Sequence, residues 1–171
     1  MLVKLVSINI ERDSRLVCEW LNGLSGVETM RSMGNIIPDS WTTTYKDQVE
    51  ILKSIIINSK GLSLMIEVDG KIVGIVETHL NKTKELKAPS IHIMIGDITA
   101  RNKGVGYLAQ LQQIELLKKK GYSKLYSRAQ IKNIGSNKLL QKIGFTKDGD
   151  VYITPDGLVY QNYLSILKTG A

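Results

Sequence analysis

Along this chain the spacing of apolar positions changes often enough to mark out a series of short elements. Leu2 to Ile8 alternates as an opening strand, and Leu16, Val17, Trp20, Leu21 and Leu24 then recur at helical spacing behind Asp13 or Ser14 as a cap. Gly23, Gly26, Gly34 and Pro38 break the pattern and leave "MGNIIPDSWT" as an irregular, mobile-looking segment. Thr44, with Asp47 three residues on, starts a second helix carrying Val49, Leu52, Ile55 and Ile56. "LSLMIEVDGKIVGIVETHL" reads as two β-branched runs joined by Asp69-Gly70, the residues of a type I′ hairpin, with Glu77 on the strand face of Val73 and Ile75.

After Pro89, "SIHIMIG" alternates as a strand, placing Ile91, Ile93 and Ile95 on one face and His92, Met94 and Gly96 on the other. A helix follows from Gly104 to Lys120, stopped by Gly121, with Leu108, Leu111, Ile114 and Leu117 on its buried stripe. Then come a strand at Lys124 to Ala129, a short helix from Ser136 to Ile143 closed by Gly144, and a hairpin turning at Asp156-Gly157. This order predicts an α/β fold in one domain over residues 1–171: a mixed sheet of about seven strands covered by four helices.

Composition narrows the setting. At 171 residues and 43% hydrophobic, the chain can bury a sizeable core. Its longest apolar runs, such as Ile91 to Ile95, fall far short of the roughly 20 residues that span a bilayer. The N-terminal "MLVKLVSINIERDS" meets charge too early for a secretory leader, so the expectation is a cytoplasmic protein with no membrane partner. Cys18 is the only cysteine and there are two histidines, which excludes a disulfide framework and argues against a metal site. The net charge of +7 favours an anionic partner. Between Leu116 and Lys147 there is no acidic residue, while Lys118, Lys119, Lys120, Lys124, Arg128, Lys132, Lys138, Lys142 and Lys147 all fall inside. That run reads either as a solvated helix face or as part of an anion site.

The candidate chemistry lies in "RNKGVGYL". A strand ending in a glycine-bearing loop that opens a helix brings free N–H groups and the helix dipole to one point, where an anion is favoured. Gly104 and Gly106 would admit a phosphate without a β-carbon in the way, and Arg101 and Lys103 would add charge; a tight turn with close helix packing is the plainer reading. A nucleotide-hydrolase P-loop requires Gly-Lys-Ser/Thr, yet Gly106 is followed by Tyr107 and Leu108. Gly104, Gly106 and Ala109 fit a dinucleotide fingerprint, but the acid it needs after the next strand is absent.

"IGDITARNKGVG", with Arg101, Gly104 and Gly106, resembles the R/Q-x-x-G-x-G/A acyl-CoA loop of the GNAT superfamily of N-acetyltransferases, and the element order matches that superfamily. "NIGSNKLLQKIGF" resembles its later segment, in which an Asn (Asn133) precedes a short helix ending at Gly144-Phe145. "VCEWLNG" and "TPDGLVYQNYLSIL" look like the branch containing ribosomal-protein alanine acetyltransferases. The resemblance implies a GNAT fold that transfers an acetyl group from acetyl-CoA to a primary amine by direct attack in a ternary complex. It implies that Arg101, Asn102, Lys103, Gly104, Val105 and Gly106 hold the pyrophosphate, that the pantetheine runs beside Ile95, Gly96 and Asp97, and that Asn133 holds it from the far side. An N–H near Ile95 or Gly96 would stabilise the oxyanion.

Two positions depart from that pattern: Leu140 stands where many members carry a tyrosine acid, and Ser90 where related sequences carry a glutamate. Tyr107 or Tyr126 could supply the acid, and Glu77 and His92 are the candidate catalytic bases. The expected partners are acetyl-CoA and an amine (a peptide N-terminus, amino sugar, polyamine or amino acid), with a homodimer left open. The competing reading is a basic binding module for RNA or another phosphate-rich partner that keeps the fold without turnover. Nucleic acid is disfavoured by the 6% aromatic content, which offers no base-stacking platform.

Overall fold

In the computed structural model, which describes residues 1–167, strand β1 (Val3–Val6) leads into helix α1 (Ile10–Leu21) a turn earlier than the sequence indicates. The cap is Asn9, whose side chain accepts from the Arg12 N–H at 2.9 Å, and Asp13 and Ser14 lie fully buried inside the helix. A carboxylate can be buried there because Asp13 accepts from the Asn9 N–H at 2.7 Å and from Arg12 Nε at 2.6 Å. Helix α2 (Leu24–Ser32) occupies the stretch that the glycines were expected to break. Gly23 caps it at φ 91, and Gly26 sits so close to the Leu21 carbonyl that a β-carbon there would collide with it. These glycines fold α2 tightly back on α1 instead of interrupting a helix.

Helix α3 (Tyr45–Asn58) starts at the expected capping box: Asp47 N–H donates to the Thr44 hydroxyl, and Thr44 N–H donates to the Asp47 carboxylate. Those bonds from Thr44 hold the Asp47 carboxyl below the usual carboxylate range. Strands β2 (Leu64–Val68) and β3 (Lys71–His79) meet at Asp69 and Gly70, with φ of 49 and 86 as a type I′ turn requires. A bulge then changes which face β3 presents. Ile66 pairs with Gly74 but Glu67 with Ile72, leaving Val73 as the extra residue. Val73 consequently packs with Val76, whereas Ile72 and Ile75 pack on the other face, so Glu77 shares its face with Ile75 and not with Val73.

Strand β4 (Ser90–Ile95) is followed by a short 3-10 turn at Ile98–Ala100, helix α4 (Val105–Lys119), strand β5 (Lys124–Gln130) and helix α5 (Ile134–Lys142). Strands β6 (Thr146–Lys147), β7 (Tyr152–Ile153) and β8 (Val159–Ile166) close the described chain. The eight strands and five α-helices of the described residues exceed the expected seven and four by α2 and the two-residue β6. The sheet order is β1-β2-β3-β4-β5-β8-β6, with β7 paired to β8, and every pairing is antiparallel except β4 with β5.

Each face of the sheet is covered. Val17 and Leu21 of α1 and Leu52 of α3 pack on Met65, Ile75 and Met94. On the other face, Val105 and Ala109 of α4 pack on Ile66, Val73 and Val76, while Ile114, Leu117, Leu140 and Phe145 surround Ile91, Leu125 and Tyr163. The expected alternation of β4 holds: Ile91, Ile93 and Ile95 face α4, and Met94 faces α1 and α3.

Gly26→Ala should lower stability by about 1–3 kcal/mol, because the new methyl forces α2 away from the Leu21 carbonyl. Urea unfolding measures this, and an unchanged midpoint would mean that α2 does not pack there.

Candidate active site

The parallel pairing of β4 and β5 stops almost as soon as it begins. Ser90 opposite Tyr126 is its one registered pair, with Tyr126 N–H donating to the Pro89 carbonyl at 2.9 Å and the Ser127 hydroxyl donating to the Ile91 carbonyl at 2.7 Å. Beyond Ile91 the strands separate. On the β3 side, Gly96 N–H donates to the Val73 carbonyl at 2.9 Å. Antiparallel alternation therefore turns the backbone groups of Ile93 and Ile95 away from β3 and into the gap. Arg101 Nε takes the Ile95 carbonyl at 2.9 Å, leaving the Ile93 and Ile95 N–H groups facing a cleft of about 610 Å³.

At one mouth of the cleft lies the glycine loop. Asn102 and Gly104 both adopt the left-handed conformation, with φ of 59 and 81, so successive amides turn toward one side. The first helical bond of α4 is Leu108 N–H to the Gly104 carbonyl, and among the described residues none of the N–H groups from Asn102 to Tyr107 has an acceptor. Space beside the Gly104 α-carbon is empty to 4 Å, while a β-carbon on Gly106 would touch Leu139 and Ile93 at 3.4 and 3.5 Å. Lys138 and Lys142 of α5 line the same end, the Lys142 ammonium lying 4.5 Å from the Tyr107 ring centroid. Gln110 also lines the cleft, and its buried Oε1 has no donor among the described residues. Loop amides, lysines and an orphaned acceptor together suit an elongated ligand with an anionic head and amide N–H groups.

On the opposite face of the sheet a second set of groups meets. Glu77 and His92 are direct partners across β3 and β4, as are His79 and Ser90. Glu77 Oε2 lies 3.1 Å from His79 Nε2, the two histidine rings are 4.6 Å apart, and Ser90 Oγ lies 3.2 Å from His92 Nε2. Burial holds His92 neutral, its pKa lowered to about 3, with the charges of His79 and Arg128 acting in the same direction. His79 is half exposed and Glu77 mostly covered. Helix α2 bridges the opening: Arg101 donates to the Thr29 hydroxyl at 2.8 Å, Gln130 to the Arg31 carbonyl at 2.6 Å, and Asn133 to the Ser32 carbonyl at 3.2 Å.

Of the residues singled out in the sequence, Ile95, Arg101, Asn102, Gly104, Val105, Gly106, Asn133, Glu77 and His92 all border this cleft. Gly96, Asp97 and Lys103 do not. Gly96 is a glycine because the Trp20 indole lies where its β-carbon would be, and with its N–H taken by Val73 only Ile95 remains as the expected oxyanion donor. Asp97 caps the 3-10 turn through Thr99 and bonds Lys71 at 2.6 Å, contacts that lower its pKa to about 2. The Arg101 side chain positions Ile95 and α2, and Asn133 caps α5 through the Ser136 N–H. Tyr107 borders the cleft and Tyr126 does not. Cys18 is packed, its thiol 3.4 Å from the Thr43 carbonyl.

His79, Tyr160 and Thr29, which the sequence did not single out, and Arg128, which it offered only as one member of the basic run, all line the cleft. Only His79 carried a readable signal, its spacing of two from Glu77 on one strand face. The basic run is divided: Arg128, Lys138 and Lys142 line the cleft, whereas Lys118 and Lys119 lie in the last turn of α4. Among the described residues no helix is long and apolar enough to cross a membrane.

A sheet split between two parallel strands, with an amide-lined loop at the mouth of the split, is an architecture suited to an extended phosphorylated ligand. Residues 6–146 match the acetyltransferase (GNAT) domain family, so the chain belongs to the GNAT family and is an N-acetyltransferase. No curated protein matches the sequence. Similar solved folds include aminoglycoside acetyltransferase AAC(6')-Ib in complex with coenzyme A (19% identity, TM-score 0.76, covering 98% of this chain and 96% of that one). A GNAT-family acetyltransferase from Streptococcus pneumoniae is similar at 18% identity and TM-score 0.70, covering 97% of this chain and 99% of that one. The ribosomal-protein acetyltransferase RimL in complex with coenzyme A is similar at 13% identity and TM-score 0.74, covering 98% and 96%.

His92 makes stability depend on pH. It titrates near 6.5 in an unfolded chain and at about 3 in the folded protein, so between those values the unfolded state binds more protons. Its contribution is complete above about pH 6.5 and falls toward pH 3, by at most about 1.4 kcal/mol per pH unit. Urea unfolding at several pH values should show a flatter dependence for His92→Gln than for the unaltered protein; parallel curves would contradict the assignment.

Proposed function

We propose that this N-acetyltransferase transfers an acetyl group from acetyl-CoA to a primary amine by direct attack, with both substrates bound at once. The observation that carries this reading is the pair of unsatisfied backbone sets, the loop amides from Asn102 to Tyr107 and the open edge at Ile93 and Ile95, meeting in one cleft. Loop N–H groups donate to the pyrophosphate oxygens, assisted by Lys138 and Lys142. The pantetheine arm lies along the Ile93 and Ile95 edge as an added strand would. The thioester then reaches the split, where an N–H of that open edge not used by the arm faces the developing oxyanion.

The amine approaches from the face bearing Glu77 and His79. An alkylammonium has a pKa of roughly 10, so a proton must leave before the nitrogen attacks. With His79 Nε2 donating to Glu77, Nδ1 can take that proton, Glu77 stabilises the imidazolium, and the exposed ring passes the proton to water. This assigns the base to the Glu77 and His79 pair, with His92 as a neutral wall of the chamber. Leu140 is buried and offers no proton to the leaving sulfur. A thiol of pKa near 8.5 can depart as thiolate and be protonated by water or by Tyr107 at that end of the cleft.

Two variants separate binding from chemistry. Gly104→Val forces a branched side chain into the left-handed conformation and into the phosphate space, and should abolish acetyl-CoA binding by calorimetry while circular dichroism is unchanged. His79→Gln should keep that affinity and lower kcat by about 10²–10⁴, read as free thiol release with an accepted amine. Retained affinity in the first variant would show that the loop is not the phosphate site, and an unaltered kcat in the second would remove His79 from the chemistry.

A further inference from the structure

Arg128 stands on the amine side of the cleft with no ion-pair partner among the described residues. Leu125 and Ala129 of β5 pack into the core beneath α4 and α5, so alternation turns Arg128 to the opposite face, that of Glu77 and His92. Arg128 is partly buried as a residue, and its guanidinium lies 4.6 Å from the Tyr160 ring centroid and donates from Nη1 to the Tyr152 hydroxyl at 3.4 Å. Tyr160 is itself fixed, its hydroxyl pressed against the α-carbon of Gly34 where the chain leaves α2. These contacts orient the charge without neutralising it. Among the described residues no carboxylate forms an ion pair with Arg128. Glu77, the sole carboxylate of the described residues that line the cleft, is already bonded to His79.

A guanidinium drawn partly out of water is unfavourable until an anion joins it, and its planar fork fits a carboxylate or phosphate through two parallel bonds. A polycationic amine would meet the reverse: one occupied carboxylate and a fixed positive charge. We infer that the acceptor is an amine that also carries a carboxylate or phosphate group, which Arg128 binds while the amine faces Glu77 and His79. This rests on the direct-transfer reading above, because it takes the Arg128 face as the acceptor side.

The test uses matched acceptors that differ only in the anion: an amino acid against its amide, a tripeptide amide with aspartate against asparagine at its second position, and phosphoethanolamine against ethanolamine. Kanamycin and spermidine serve as polycations. Thiol release gives kcat/KM for each, and calorimetry on the coenzyme A-loaded protein gives affinity. The expected result is a preference of about tenfold or more for the anionic member of at least one pair. That ratio should fall toward one in Arg128→Gln and be partly kept in Arg128→Lys, with coenzyme A affinity retained in both. Which pair responds distinguishes carboxylate from phosphate. Higher kcat/KM for kanamycin or spermidine, or an unaltered ratio in Arg128→Gln, would overturn the inference. Coenzyme A binding with no anionic amine either bound or acetylated would overturn it as well. If the unaltered protein bound no acetyl-CoA, the transfer reading would fail and this inference with it.

Discussion

The parting of β4 from β5 is the constraint around which the rest of the protein is arranged. Backbone groups at a sheet interior are normally paired, and leaving a strand edge open inside a fold is unfavourable unless something else occupies it. Here the pairing ends at Ser90 and Tyr126, and the protein controls the opening with side chains on both lips. Ser127 holds the Ile91 carbonyl, and Arg101 holds the Ile95 carbonyl. The bulge at Val73 and the two bonds that its carbonyl accepts from Gly96 and Asp97 fix where β4 ends and the loop begins. What stays open is a stretch of backbone suited to an extended, amide-bearing ligand.

The opening also divides the chemistry in two. On the α4 and α5 side lie free amides, a helix N-terminus and two lysines, a combination that favours phosphates. On the other side lie Glu77, the two histidines and Arg128, a combination suited to moving a proton and recognising charge. Helix α2 ties the halves together, since its last turn is held by Arg101 from the β4 side and by Gln130 and Asn133 from the β5 side. A shift of α2 would therefore be felt on both sides of the split.

Local signals were legible in the sequence. Asp69-Gly70, the Thr44 and Asp47 box and the alternation of β4 all act within a few residues, and the structure bears each of them out. Features that depend on contact with distant residues were not. Gly26 looks like a helix breaker until Leu21 is seen against it, and Gly96 looks like a ligand position until Trp20 is seen over it. Arg101 and Asn133, marked for a ligand, also carry bonds to Thr29 and Ser32, contacts spanning 72 and 101 residues that local sequence does not reveal. Arg128 was lost in a basic run, because which of those cations face the cleft is set by strand alternation and helix docking.

Hydrogen exchange with and without coenzyme A tests the central claim most directly, because the ligand is held to complete backbone bonds that the protein leaves unmade. Amides from Asn102 to Tyr107 and those of Ile93 and Ile95 should become protected on binding, while the β2 and β3 amides, already paired, change little. Binding that leaves the loop and the β4 edge exchanging as before would contradict the account.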